Sequence, residues 1–339
     1  MRERNQLVDM LKGYACILVV FGHVIMGIRQ ATDGGVPTFA VSVEKFIWTF
    51  HVALFMFLSG YVYHMNGDWR SKSSVTKFIG HKLLNLGVPY FVFSCIYILI
   101  NSIMGAYVNT GFEISDILML WKTPVAQYWF IYTLMCFFII FAVAGKWLKN
   151  WQITVILVLL QLIMYLFNIN LGFLGGAMCL SFGLGASIDS LYIDKLNSYF
   201  KVGLVVAHII IVAILLRTPI NQILLGRQIE ACIGVVGSIA LISLLAKLNV
   251  IKRVLLWICK YSFPIYLLHT IFTAGIRIVL FKIGVENYYI HVISGMVFGI
   301  AFPFIAAKVA EKIQILNFVF YPSKTIKFIK TKFLSKQSI

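Results

Sequence analysis

Near the start of the chain a lysine and a histidine stand eleven residues apart in an apolar stretch, Lys12 and His23 in "LKGYACILVVFGHV". At about 100° per residue of α-helix, that interval ends about 20° past three full turns, so both side chains fall on one face about 16 Å apart. Asp9, three residues before Lys12, joins that face. An ammonium is a compact charge suited to an anion. Imidazole has the ordinary pKa best matched to proton transfer near neutrality. The other use of the same residues is structural, with Asp9 and Lys12 paired at a boundary and His23 bonded to a neighbouring helix.

The elements that carry these residues belong to a membrane protein. Hydrophobic residues make up 60% of the chain, charged ones only 12%, and the mean hydropathy is +0.91, far above a soluble domain. A hydrocarbon core of about 30 Å calls for about 20 apolar residues per helix. Runs of that kind lie near residues 8–28, 44–64, 87–108, 127–145, 151–168, 170–188, 201–216, 229–246, 261–281 and 289–307. The alternation of a β-barrel is absent, so the sequence predicts an all-α polytopic protein of about ten transmembrane helices. Ala31-Thr32-Asp33 is a poor cleavage site, and the first run is expected to be retained rather than removed as a signal peptide.

Basic loops stay in the cytoplasm. With the N-terminus inside, about three quarters of the 29 lysines and arginines fall on the cytoplasmic side, so both termini are expected there, in the cell membrane. The net charge of +17 then reports topology and attraction to anionic lipid, not nucleic acid. Residues 1–321 are expected to form one membrane-embedded domain and 322–339 a basic cytoplasmic tail. In the tail Ile326, Ile329 and Phe333 share a stripe among lysines, which fits either an interfacial helix or a frayed end. Six scattered cysteines have no metal or redox spacing. No metal site is expected.

Five stretches resemble the acyltransferase-3 family of membrane proteins, whose members include O-acetylases of capsule, exopolysaccharide and lipopolysaccharide. "RNQLVDMLKGYACILVVFGH" is similar to the family's opening, an arginine, an aspartate, then a basic residue with ten residues between it and a histidine: Arg4, Asp9, Lys12 and His23. "FHVALFMFLSGYVY" resembles its aromatic second helix, with His51 and Ser59-Gly60 at the matching positions. "KFIGHKLLNLGVPY" resembles its basic loop before a proline, although His81 and Asn85 stand where basic residues are usual. "QYWFIYTLM" is similar to its Trp-Phe motif and "CKYSFPIYLLHTIF" to its late Tyr-Leu-x-His motif.

The resemblance implies transfer of an acyl group, usually acetyl from acetyl-CoA, to a hydroxyl of a surface polysaccharide or its lipid-linked precursor, with no permanently bound cofactor. It assigns Lys12, Asp9 and Arg4 to the donor and His23 to general-base catalysis. It puts His51, Ser59, Trp129, Tyr266 and His269 near the acceptor, and Glu230, at the outer start of the eighth run, is a further candidate sugar contact. For His51, His269 and Tyr266 a packing role competes, and Glu230 also suits the start of a helix. His64, His208 and His291 carry no partner signal. The expected partners are acyl-CoA, a glycan or lipid-linked glycan and the bilayer. The form without a fused soluble esterase-like domain is expected. The rival reading is an exporter of a polysaccharide intermediate, for which repeat symmetry and coupling acids should be visible.

The topology is open to direct test. With Lys336→Cys in a cysteine-free background, an impermeant thiol reagent should label the protein only after the cells are opened. Labelling in intact cells overturns the assignment.

Overall fold

The computed structural model describes residues 5–67, 72–105, 111–169 and 178–337. Asn5 starts the first helix, α1 (Gln6–Ala31), by accepting the otherwise orphaned N–H groups of Leu7 and Val8 at 3.0 and 3.3 Å. At its far end Asp33 and Gly34, at φ of 48° and 93°, turn the chain into α2 (Thr38–Trp48). Bidentate hydrogen bonds from Arg29 to Glu44, at 2.8 and 2.9 Å, tie the two helices together there.

The second apolar run is one span with an interruption. After α2 the helix breaks at Thr49 and Phe50, then resumes as α3 (His51–Met65). A third span joins α4 (Lys72–Lys82), a π-helical turn at Leu83–Gly87 and α5 (Val88–Met104). Pro89 follows that turn and cannot donate to Asn85. The Asn85 side chain donates to His81 O and to Ser323 Oγ, at 2.7 and 2.6 Å, and accepts from Ser323 N at 3.2 Å. This residue, standing where the sequence calls for a basic side chain, fastens the C-terminal segment.

The remaining helices are α6 (Trp129–Ala144), α7 (Asn150–Leu166), α8 (Met178–Ser187), α9 (Ser198–Leu215), α10 (Leu224–Leu245), α11 (Asn249–Lys282), α12 (Tyr288–Lys312), α13 (Gln314–Phe320) and α14 (Pro322–Gln337). Eight spans are long and apolar enough to cross a membrane, and α7 and α8 are shorter apolar helices. Among the described residues there is no strand, and the protein is an all-α polytopic membrane protein. Each of the ten expected runs coincides with a helix over its described part, residues 106–108 of the third and 170–177 of the sixth lying outside the described residues. The ninth run is the core of a much longer helix. At 34 residues, α11 measures about 51 Å, more than a bilayer core needs. The tail is helical as α14.

Without a hydrophobic force between helices in lipid, close packing falls to small residues. A Cβ on Gly60 of α3 would lie 2.0 Å from the Phe182 carbonyl oxygen of α8, and one on Gly185 of α8 would lie 2.0 Å from the Phe57 carbonyl oxygen of α3. The two helices thus notch into each other. Gly13 of α1 meets the Leu255 carbonyl of α11 in the same way, at 2.1 Å.

These notches predict a contrast between glycines. Gly60→Ala should destabilise the protein in nanodiscs by about 1–3 kcal/mol through overpacking. Gly203→Ala on α9, where nothing lies within 4 Å, should be neutral or stabilising. Thermal unfolding of both variants measures the difference, and equal behaviour would exclude the notch.

Candidate active site

The face of α1 carrying Lys12 and His23 opens onto a cavity of about 680 Å³, with Val19, Met26 and Gln30 continuing the stripe. The facing walls are His51 and Ser59 of α3, Asn101 of α5, Gln127 and Trp129 where α6 begins, and Tyr266 and Arg277 of α11. No Asp or Glu is among the described residues lining it.

Three histidines from three helices meet at mid-length. The His23 ring centroid lies 4.9 Å from that of His269, edge to face. Trp48 sits between His23 and His51, at 5.2 and 4.9 Å. All three imidazoles are anchored alike. His23 Nδ1 lies 2.9 Å from Val19 O, His51 Nδ1 2.8 Å from Ile47 O, and His269 Nδ1 2.9 Å from Ile265 O. A carbonyl can only accept, so Nδ1 carries the hydrogen and the neutral ring's lone pair is left on Nε2. His23 is half-buried at the cavity wall, so its Nε2 can take up a proton from a bound group.

Side chains of α11 fix the start of α6. Tyr266 donates its hydroxyl to Gln127 O, and Gln127 Nε2 donates to Thr270 Oγ1 at 2.7 Å. Tyr128 returns a hydrogen bond to Leu267 O at 2.8 Å. Trp129 is thereby held at the wall. Pro264 of α11 leaves the Lys260 carbonyl without its helical donor one turn before the Tyr266–His269 segment.

The residues singled out in the sequence separate into groups. Lys12, His23, His51, Ser59, Trp129 and Tyr266 share the cavity. His269 is fully buried and touches His23 from behind. Asp9 is turned toward α11, where Cys259 Sγ approaches its carboxylate at 3.7 Å. Glu230 is buried on α10, away from the cavity lining. Arg4 lies outside the described residues. His64 bonds Asp189, His291 bonds the Val285 carbonyl and His208 packs on Phe46 and Phe50.

Sequence reasoning missed Trp48, Asn101, Gln127 and Arg277. For Arg277 a signal exists, an ionisable residue inside the run 261–281. Trp48 lies three residues before His51, but the break between them hides their juxtaposition.

A multi-pass membrane protein whose helices enclose a cavity with a cation at one end and histidines at its middle is the class these features define. The chain belongs to the acyltransferase-3 family, described as an acyltransferase domain, which matches residues 5–308, from α1 to the last turns of α12. It is similar to Nodulation protein NolL of Mesorhizobium japonicum (strain LMG 29417 / CECT 9101 / MAFF 303099), with 31% identity over 144 residues. That match covers 42% of this chain and 36% of the relative, little more than a third of the relative's length. No solved structure matches the chain.

The tautomers are measurable. In ¹⁵N-histidine-labelled protein at neutral pH, the resonances removed by His23→Gln, His51→Gln and His269→Gln should each show a protonated Nδ1. That removed by His291→Gln should show a protonated Nε2, because His291 reaches its carbonyl through Nε2 at 2.7 Å. An Nε2-protonated His23 would contradict the arrangement.

Proposed function

We propose that the protein moves an acyl group, acetyl in the first instance, from acyl-CoA to a hydroxyl of a cell-surface polysaccharide or its lipid-linked precursor in the cytoplasmic membrane. The observation that carries this reading is a single cavity joining Lys12 to His23, over about 16 Å of α1, a length comparable to an extended pantetheine arm. Phosphates of the donor bind at Lys12, and the sequence resemblance adds Arg4 as a further donor contact. Asp9, held against α11, keeps that end of α1 in place. The thioester then reaches the histidines.

His23 Nε2 accepts the hydroxyl proton as the oxygen attacks the thioester carbon. The C–S bond breaks with both electrons on sulfur, and His23 returns the proton to the thiolate. Free CoA thiol and the acyl ester are the products. His269 supports the His23 ring from behind, and His51 with Trp48 limits its rotation. Ser59, Trp129 and Tyr266 bound the space for the acceptor. Glu230 then acts on α10 packing and not on the sugar.

The interruption at Thr49 and Phe50 is the feature an export reading would use, since broken helices line transport sites. A coupling carboxylate is missing from the described lining, which favours transfer.

Two variants test the assignment together. His23→Gln keeps size and some hydrogen bonding but cannot take up a proton, and should lower acylation by about 10²–10⁴-fold with CoA binding near normal. Lys12→Ala should weaken CoA binding, while Lys12→Arg retains much of it. Mass spectrometry of surface glycans at matched membrane levels, with calorimetry of CoA binding, reads both. Acylation near the parent rate in His23→Gln would remove the catalytic role and favour export.

A further inference from the structure

Arg277 is the ionisable residue of the cavity that the reaction above does not use. Its side chain is only 9% exposed and lines the cavity from α11. The guanidinium lies in the space left by Gly27, where a Cβ would fall 2.1 Å from Nη1. Gly27 is one helical turn beyond His23, about 6 Å along α1, and about 22 Å from the level of Lys12. The cavity therefore has a cation at each end, with the histidines between.

Among the described residues Arg277 makes no ion pair, and no carboxylate lines the cavity. The neighbouring Arg29 is occupied by Glu44 in a bidentate pair. A buried guanidinium without a counter-ion is costly, and such residues inside spans mark functional sites. The planar fork of donors matches the two oxygens of a carboxylate or phosphate. Asn101 and Gln30 line the same stretch and provide amide groups suited to sugar hydroxyls.

We propose that Arg277 binds an anionic group of the acceptor, a phosphate or a carboxylate carried about one helical turn from the hydroxyl that His23 deprotonates. The acceptor is then an acidic sugar or a sugar phosphate. A neutral glycan gives no use to a cation at that depth. The inference rests on the acyl-transfer reading for the word acceptor, while the anion site itself does not.

Binding measured on the purified full-length protein in zwitterionic nanodiscs provides the test. Thermal unfolding is followed with methyl glucoside, methyl glucuronide and glucose 1-phosphate as probes. At least one anionic probe should raise Tm in a dose-dependent manner, and methyl glucoside should not. A response to methyl glucuronide alone identifies a carboxylate acceptor, and a response to glucose 1-phosphate alone identifies a phosphate. Arg277→Gln should abolish the shift, and Lys12→Ala should keep it. Gly27→Ala, which displaces the guanidinium without removing its charge, should raise the half-saturating concentration about tenfold. If Arg277→Gln does not fold, the Gly27→Ala titration decides, and an unchanged half-saturation overturns the proposal. So does the lack of any anion-specific shift in the wild-type protein, or a shift lost in Lys12→Ala and kept in Arg277→Gln. Acyl transfer assayed on the same samples separates the two readings. Anion-dependent stabilisation without transfer removes the enzyme reading and keeps the anion site, whereas transfer without stabilisation removes the anion site alone.

Discussion

An N–H group inside a hydrocarbon layer has to find its acceptor within its own bundle. His23, His51 and His269 meet that demand by donating Nδ1–H to carbonyls four residues back. For His51 the bond also spans the interruption between α2 and α3, because Ile47 belongs to one helix and His51 opens the next. The same bond that satisfies the ring orients it. Nε2 is the nitrogen left over, and the His23 ring lines a cavity. For the proposed general base, competence and polar satisfaction are one constraint, and the packing of the bundle keeps these rings in register.

That register depends on how closely the backbones approach. Gly13 seats α1 against Leu255 of α11, and the reciprocal Gly60 and Gly185 notches seat α3 against α8. The hydrogen bonds among Tyr266, Gln127, Thr270 and Tyr128 then lock the start of α6 to α11. Small residues remove distance and tyrosines add connection, so a wall built from separate spans behaves as one surface. Family likeness at Ser59-Gly60 thus has two physical meanings. The serine borders the cavity, and the glycine admits a neighbouring backbone.

Much of this was legible in the sequence where periodicity sufficed. Lys12 and His23 share a face because α1 is uninterrupted, and their interval alone fixes their relative angle. Asp9 belongs to the same repeat but sits at its margin, where the approach of α11 decides which way it turns. Positions that depend on an irregularity were not legible. The break at Thr49 and Phe50 brings Trp48 beside two imidazoles, and the π-helical turn before Pro89 gives Asn85 to Ser323. Arg277 stands inside the run 261–281, yet periodicity alone does not show that α11 turns it into the space left by Gly27 of α1. Glu230 illustrates the opposite error, a chemically suitable side chain whose helix faces another part of the bundle.

The lack of a carboxylate among the described lining residues and the two cationic ends of the cavity have a consequence for energy coupling. If the acyl group enters at Lys12 and leaves on an acceptor held toward Arg277, an acyl group passes outward and the hydroxyl hydrogen returns inward on the thiol. Both travellers are electrically neutral, while the phosphates and the acceptor's anion stay at the ends. A unit charge crossing the whole membrane would feel about 2.3 kcal/mol per 100 mV. This exchange moves none, so the membrane potential neither drives nor opposes the step, and its direction is set by the thioester alone.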